Sequence, residues 1–154
     1  SDIIQFVDDV AQEGDTTAVI KALDAFHDRY PMYNLSPRKA ALLKSQTALA
    51  VSAAVPCGDS DNDCSPRLLE LGSFFGYSAI HTAQAMGPRA LLTMVEANEE
   101  NADVAKHMLV RAFGRDAEVC ARHLVHLCIS RPSTSLFLLT LSWVLSFFFI
   151  FLFA

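Results

Sequence analysis

The fold is decided by the stretch Leu68-Leu69-Glu70-Leu71-Gly72-Ser73-Phe74-Phe75-Gly76-Tyr77-Ser78 of this 154-residue chain. Its apolar start predicts a short buried strand, and its glycines predict a turn that opens a helix near Tyr77. A second apolar run, residues 90–95, predicts another strand that ends at Glu96. In an α/β sheet this order places exposed backbone and a carboxylate in the same crevice at the strand ends. The sequence therefore predicts a nucleotide-type binding half-site.

The glycine spacing of this stretch indicates which class of nucleotide-type ligand it binds. The pattern Glu-x-Gly-x-x-x-Gly differs from the Gly-x-Gly-x-x-Gly of dinucleotide-binding enzymes because the second close glycine is missing. A nicotinamide-dependent oxidoreductase is disfavoured for that reason. The spacing is similar to that of the S-adenosylmethionine loop of methyltransferases.

Each residue of the predicted half-site has a physical reason to be there. Gly72 lacks a Cβ atom, so a ligand can lie against its backbone, and Gly76 allows a sharp turn into the helix. Ser78 adds a hydroxyl to the free N–H groups of the helix N-terminus, where a carboxylate can bind. Glu96 can accept hydrogen bonds from two ribose hydroxyls, and the small Ala97 leaves space for an adenine ring. Simple turn chemistry and a solvated acid are the alternatives for these glycines and for Glu96.

The rest of the chain up to about residue 119 predicts helices around the two strands. Capping residues and apolar periodicity predict helices over 3–12, from Asp15 or Thr16 to about residue 29, from Ser36 to about Val55, over 77–86, and from Asn98 to Gly114. A polar loop over 56–66 precedes the first strand, and a third strand is predicted near residues 118–119.

Residues from about Ile3 to Val119 resemble catechol O-methyltransferase. The stretch from Leu68 to Ala79 is very close to that family's motif, which usually has Tyr-Cys in place of Phe74-Phe75. The segment Asn34-Leu35-Ser36 resembles the family's Asn-Val-Gly, and Glu96 with Asn98 resembles its Glu-x-Asn. The resemblance implies an α/β, Rossmann-like S-adenosylmethionine-dependent methyltransferase fold with N-terminal helices, truncated after about the second or third strand. Residues 1–119 would form its cofactor-binding half.

The resemblance also implies an activity and a set of site residues. The activity is methyl transfer from S-adenosylmethionine to a hydroxyl of a small-molecule catechol or phenol. The residues implied to line the cofactor pocket are Leu35, Glu70, Gly72, Ser78, Glu96 and Ala97. The residues implied to shape that pocket are Phe74, Gly76 and Tyr77. The apolar and aromatic gate over the catechol ring falls on Pro31, Met32 and Tyr33.

The family's catalytic groups have no counterparts in this sequence. The family binds a magnesium ion through two aspartates and an asparagine and uses a lysine as base, all beyond the cofactor half. After Glu118 this chain contains no Asp, Glu, Asn or Lys. We therefore assign no catalytic or metal-binding residue and expect this chain to be an incomplete and inactive form of the enzyme.

Composition limits the partners. Residues 1–118 contain all 17 acidic residues and 10 of the 12 basic residues, so this part is clearly acidic. Nucleic-acid binding needs a basic face and is disfavoured. The loop between Cys57 and Cys64 carries three aspartates in calcium-loop alternation, but the turn glycine and the final glutamate are misplaced, which favours solvated acids. A disulfide between the two cysteines and a reduced pair stay equally open.

Residues 120–154 form a divergent apolar tail. Two cysteines and two histidines lie within 120–128, but ligands this crowded seldom surround a zinc ion, so chance polar positions are favoured. A helix over 136–154 would be about 28 Å long, and the hydrocarbon core of a bilayer is about 30 Å thick. This segment predicts either a membrane anchor on a cytoplasmic protein, or an artefact such as translated non-coding sequence or an alternative ending. The artefact or alternative ending is favoured over the anchor. The alternative function is a non-catalytic, tail-anchored protein that uses the half-domain for binding. In either case the first strand is expected to keep an open apolar edge.

Overall fold

The computed structural model describes residues 2–54, 66–87, 90–114 and 150–153. Its elements in chain order are α1 (Asp2–Val10), α2 (Thr16–Arg29), α3 (Pro37–Ala53), β1 (Arg67–Leu71), α4 (Tyr77–Met86), β2 (Leu91–Val95), α5 (Glu99–Phe113) and β3 (Ile150–Phe153). The predicted helices and the first two strands are all present, with ends that differ by no more than a few residues.

Local capping chemistry sets the helix starts. The Asp15 side chain accepts a hydrogen bond from the Ala18 N–H at 2.9 Å, at the start of α2. The Asn98 side chain accepts from the Asn101 N–H at 3.0 Å, at the start of α5. These bonds satisfy N–H groups that have no partner within the first turn, which is why the sequence alone located these helices.

The sheet has the order β2-β1-β3, and β1 and β2 are parallel. Leu68 lies opposite Leu92, and Glu70 lies opposite Met94. All four side chains are buried, so this face of the sheet packs under the helices. The carboxyl ends of both strands point to the same edge of the sheet, as the half-site requires.

The outer edge of β1 differs from the expectation. We expected an open apolar edge, but β3 pairs antiparallel with β1, with Arg67 opposite Phe153 and Glu70 opposite Ile150. Residues 150–153 are therefore extended rather than the end of a helix over 136–154. The physical reason is that the unpaired N–H and C=O groups of a strand edge accept any extended segment that reaches them.

The core lies between the helices and the sheet. Its fully buried side chains include Val7, Val19, Leu23, Ile80, Met108 and Leu109. Polar contacts then join the first helix to the last: Arg111 donates to the carbonyl oxygens of Asp8 at 2.9 Å and Ala11 at 2.7 Å. His107 Nε2 lies 3.0 Å from the Asp8 carboxylate. These contacts hold α1 against α5.

Several sequence predictions fall on residues outside the described ranges. They are the loop between Cys57 and Cys64, the third strand near 118–119, the cysteine–histidine cluster over 120–128, and most of the apolar segment 136–154. Within the described residues, no helix has both the length and the apolar character needed to cross a bilayer.

Candidate functional site

The loop between β1 and α4 follows a chain path with three left-handed residues. Gly72 has a φ of 81°, Phe74 of 49° and Gly76 of 80°. Phe74 is the one non-glycine residue with a positive φ among the described residues. A left-handed conformation disfavours a residue with a side chain, so surrounding contacts must hold Phe74 in place.

Glu96 provides one of those contacts. Its carboxylate accepts hydrogen bonds from the Phe74 N–H at 2.8 Å and from the Asn98 N–H at 2.9 Å, one on each oxygen. The end of β2 is thereby joined both to the β1–α4 loop and to the start of α5. Each carboxylate oxygen keeps a further acceptor site, because a carboxylate offers about four lone-pair positions. Glu96 therefore orders the loop and can also accept ligand hydroxyls.

The two glycines of the loop are required for different reasons. A Cβ atom on Gly72 would meet nothing within 4 Å, so its backbone faces open space. A Cβ atom on Gly76 would lie 3.2 Å from both the Cα and the carbonyl oxygen of Ala105 in α5. Gly72 thus leaves room where a ligand can approach the backbone. Gly76 instead permits the close packing of α4 against α5, in addition to the turn predicted from sequence.

Glu70 and Ser78 form a buried pair below the loop. Ser78 Oγ donates to Glu70 Oε1 at 2.5 Å, and Glu70 Oε2 has no hydrogen-bond partner. Burial raises the pKa of the Glu70 carboxyl to about 7, although the Ser78 hydrogen bond lowers it. While Glu70 is ionised, the Ser78 proton is committed to it. The expected donation from Ser78 to a ligand carboxylate is therefore not available in that state.

A pocket lies between the α2–α3 connection and the β1–α4 loop. Its lining residues are Tyr33, Asn34, Leu35, Ser73, Phe74, Phe75, Tyr77 and Ser78. The Phe74 and Phe75 rings stack with centroids 3.9 Å apart and form an aromatic wall. Burial raises the pKa of the Tyr77 hydroxyl, and the Asp24 carboxylate beside it raises the pKa further, so Tyr77 stays protonated.

The structure brings some of the predicted residues to the lining of this pocket and leaves others outside it. Four of the predicted cofactor residues line it: Leu35, Phe74, Tyr77 and Ser78. The other five are not among the lining residues: Glu70 is buried in β1, Gly72 and Gly76 lie in the loop, and Glu96 and Ala97 follow the end of β2. Of the predicted gate, Tyr33 lines the pocket and is 81% exposed. Met32 instead packs partly buried against the core.

Sequence reasoning did not single out two polar groups in the pocket. The Asn34 Nδ2 and Ser73 Oγ atoms are both buried and have no hydrogen-bond partner. Asn34 is oriented by its own oxygen, which accepts from the Leu35 N–H at 3.1 Å. Asn34 lies in the segment Asn34-Leu35-Ser36, and Ser73 lies in the glycine loop after β1. No pattern in a sequence shows which polar group will lack a hydrogen-bond partner in the folded chain. That depends on how the two loops meet.

The site fits a nucleoside that carries a polar, charged end. The Glu96 carboxylate provides acceptors for ribose hydroxyls, the Gly72 backbone is open, and unpartnered donors line the pocket nearby. A metal site is not evident in the described part of the chain, which contains no group of three His, Cys, Asp or Glu side chains able to hold an ion.

The parallel pair β1 and β2, the glycine loop between β1 and α4 and the surrounding helices define a Rossmann-like fold. A family model described as O-methyltransferase matches residues 64–123. Over this stretch the chain is similar to O-methyltransferases. This agrees with the resemblance found in the sequence.

Two similar proteins extend the comparison. Catechol O-methyltransferase B of Danio rerio is 30% identical over 112 residues, which make up 71% of this chain and 37% of that protein. The O-methyltransferase TomG of Streptomyces achromogenes, solved in complex with SAM, is 25% identical, with a TM-score of 0.45. That match covers 67% of this chain and 40% of TomG. The chain thus spans well under half the length of these relatives.

Proposed function

We propose that this chain binds S-adenosylmethionine as the cofactor half of a catechol-type O-methyltransferase. The observation that carries the proposal is the position of Glu96. Its carboxylate lies at the end of β2, holds the β1–α4 loop through the Phe74 N–H at 2.8 Å, and keeps acceptor sites free beside the open Gly72 backbone. A ribose placed there is bound by the same group that orders the loop.

The residues of the site have separate tasks in this proposal. S-adenosylmethionine, when bound, supplies an electrophilic methyl group on a sulfonium centre. Glu96 accepts hydrogen bonds from the ribose hydroxyls, and Gly72 lets the cofactor approach the backbone. Leu35 provides an apolar surface from the α2–α3 connection, and Ala97 leaves space for the adenine ring. The free N–H groups at the start of α4 face the polar end of the cofactor.

Catechol is the small molecule proposed to bind beside the cofactor. The support is the relative named catechol O-methyltransferase B together with the place of Tyr33, an exposed ring at the pocket. Because residues after Glu118 include no acid, amide or lysine that matches the family's metal ligands and base, we propose that this chain binds the cofactor without turning over catechol.

The proposal is tested by isothermal titration calorimetry with S-adenosylmethionine and the variant Glu96→Gln. Hydrogen bonds to a charged group contribute about 1.5–3 kcal/mol each, so the variant is expected to bind about tenfold to a hundredfold more weakly. Glu99→Gln is the matched control, because Glu99 is an exposed acid in the first turn of α5. Its affinity should equal that of the wild type.

Two results would contradict the proposal. Equal affinity of the wild type and Glu96→Gln would remove the ribose-binding role of Glu96. Transfer of a labelled methyl group to catechol in the presence of magnesium would show that this chain holds a complete catalytic site after all.

A further inference from the structure

Two helix starts of opposite charge flank α4. The first turn of α3 carries Arg38 and Lys39. The first turn of α5 carries acids, Glu100 among them, and Asp103 follows within one turn. All four residues are exposed, and the ion pairs between described residues involve none of them. Because α3 and α5 both pack against α4 rather than against each other, the basic pair and the acidic pair lie on two sides of that helix.

The stability of α3 does not explain its basic pair. The helix dipole favours negative charge at a helix N-terminus and therefore disfavours cations there. The third basic residue of α3 has a partner inside the fold, since Lys44 Nζ donates to Gln84 Oε1 of α4 at 2.9 Å. Arg38 and Lys39 instead lie exposed at the end of the helix that disfavours them. Their position points to an anionic partner outside the described fold.

Exposed apolar side chains accompany the basic pair. Tyr33, in the α2–α3 connection, is 81% exposed, and Leu42 is 60% exposed. Leu42 follows Arg38 by four residues, so the two lie on one face of α3. Apolar area bordered by charged groups is typical of protein–protein interfaces. We call the surface that carries these apolar and charged residues the mixed-charge face: Tyr33, Arg38, Lys39, Leu42, Glu100 and Asp103.

The charges of the mixed-charge face restrict its partner. A purely acidic partner would be repelled by the acidic pair, and a purely basic partner would be repelled by the basic pair. A second copy of the same face carries both signs. When two copies are related by a two-fold axis, the basic pair of each copy meets the acidic pair of the other. The face is thus complementary to itself.

We propose that the mixed-charge face is the interface of a symmetric dimer of this chain. Lys39 pairs with the partner's Glu100, and Glu100 pairs with the partner's Lys39, because a two-fold axis forms every contact twice. The interface borders the pocket, since Tyr33 belongs to both. This dimer goes beyond the proposed function and requires no bound cofactor.

The test uses two charge reversals, Lys39→Glu and Glu100→Lys, each in the whole chain and without cofactor. Either variant alone places like charges opposite each other at both contacts. When the two variants are mixed in equal amounts, a heterodimer brings the two reversed charges together at one contact and the two native charges together at the other. Sedimentation equilibrium measures the dissociation constant of each homodimer. Native mass spectrometry detects the heterodimer when one variant is isotope-labelled.

The wild type is expected to form a dimer that weakens as salt is raised, because exposed charges are screened. Each single variant should dimerise about a hundredfold more weakly, since like charges then face each other twice. Their mixture should regain the affinity of the wild type. Lys21→Glu and Asp9→Lys are the matched controls, because they reverse the charge of exposed residues on α2 and α1 outside the mixed-charge face. Both should dimerise as the wild type does.

Three results would overturn the proposed dimer. They are a wild type that stays monomeric at every concentration, a Lys39→Glu or Glu100→Lys variant that dimerises as well as the wild type, and a mixture that fails to recover. If circular dichroism shows that a variant has not folded, Arg38→Glu replaces Lys39→Glu, and Asp103→Lys replaces Glu100→Lys. All these outcomes are independent of S-adenosylmethionine binding, which the calorimetry of Glu96→Gln tests separately.

Discussion

At the scale of single residues, Glu70 stands out among the described residues as a buried carboxyl with a raised pKa. It lies in the buried strand β1 and is 1% exposed, with one oxygen bound by Ser78 and the other without a partner. Removal from water disfavours the charged form of a carboxyl. This raises its pKa from 4.5 to about 7, which makes the site sensitive to pH near neutrality.

Glu70→Gln is expected to change how stability depends on pH. Between pH 4.5 and about 7 the folded state holds a proton on Glu70 that the unfolded state has released. The free energy of unfolding attributable to Glu70 therefore falls as the pH rises through this window, by about 3 kcal/mol in all, and is constant above it. The Glu70→Gln variant has no carboxyl at this position, so its free energy of unfolding does not fall for this reason. Urea denaturation of both proteins from pH 4 to 8 measures the difference.

The free energies of unfolding of the wild type and Glu70→Gln must be subtracted at each pH, because the titration of His81 changes stability with pH in the opposite direction. Burial lowers the pKa of its imidazole, and Lys44 lowers it further, although Asp24 opposes this. The stability that His81 contributes is thus lost as the pH falls below about 6.5. Both proteins share this effect, so it cancels. A wild-type-minus-variant difference that stays constant with pH would contradict the role given to Glu70.

At the scale of secondary-structure elements, the close contact of α4 with α5 depends on Gly76. The backbone of Ala105 comes so near that any side chain at position 76 must push α5 away. Gly72 has nearly the same φ but no neighbour at the Cβ position. Alanine substitutions at the two positions therefore distinguish the free-energy cost of a left-handed conformation from the cost of crowding the Ala105 backbone.

We expect Gly76→Ala to destabilise the protein more than Gly72→Ala. A left-handed alanine costs about 1–2 kcal/mol in both variants. Crowding against the Ala105 backbone adds about 1–3 kcal/mol in Gly76→Ala alone. Chemical denaturation at one pH gives both values. Equal destabilisation by the two changes would show that α5 moves away freely and that the contact is not tight.

At the scale of the whole molecule, β3 covers the edge of β1 on the side away from β2. It comes from the far end of the sequence, and it pairs antiparallel along four residues of β1. A strand edge with unpaired N–H and C=O groups is a template for other chains. The pairing of β3 with β1 therefore protects the molecule from association through this edge.

Proline substitutions in β3 are expected to expose that edge. Neighbouring residues of a strand direct their N–H groups to opposite sides, so only one of Phe151→Pro and Leu152→Pro removes a donor of the ladder. That variant should form oligomers in size-exclusion chromatography with light scattering, and the other should behave more like the wild type. If both elute as the wild type does, β3 has no protective role.

The sequence by itself determined the helices and the first two strands. Caps such as Asp15 and Asn98 act within three residues, and glycines at the β1–α4 turn act on their own backbone. These are local effects, so a single sequence contains them. The order strand, glycine loop, helix, strand, carboxylate also indicated a resemblance to O-methyltransferases, which the match over residues 64–123 confirms. The cofactor half-site stays a prediction.

The tertiary structure decided how the site groups are paired. Only the folded chain shows that Glu96 holds the Phe74 N–H, that the Ser78 proton is committed to Glu70, and that Asn34 and Ser73 are left without partners. It also placed β3 on the edge that the sequence left open. The physical reason is that these contacts join residues distant in sequence, and a hydrogen-bond donor has no pattern that marks its acceptor before the two segments meet.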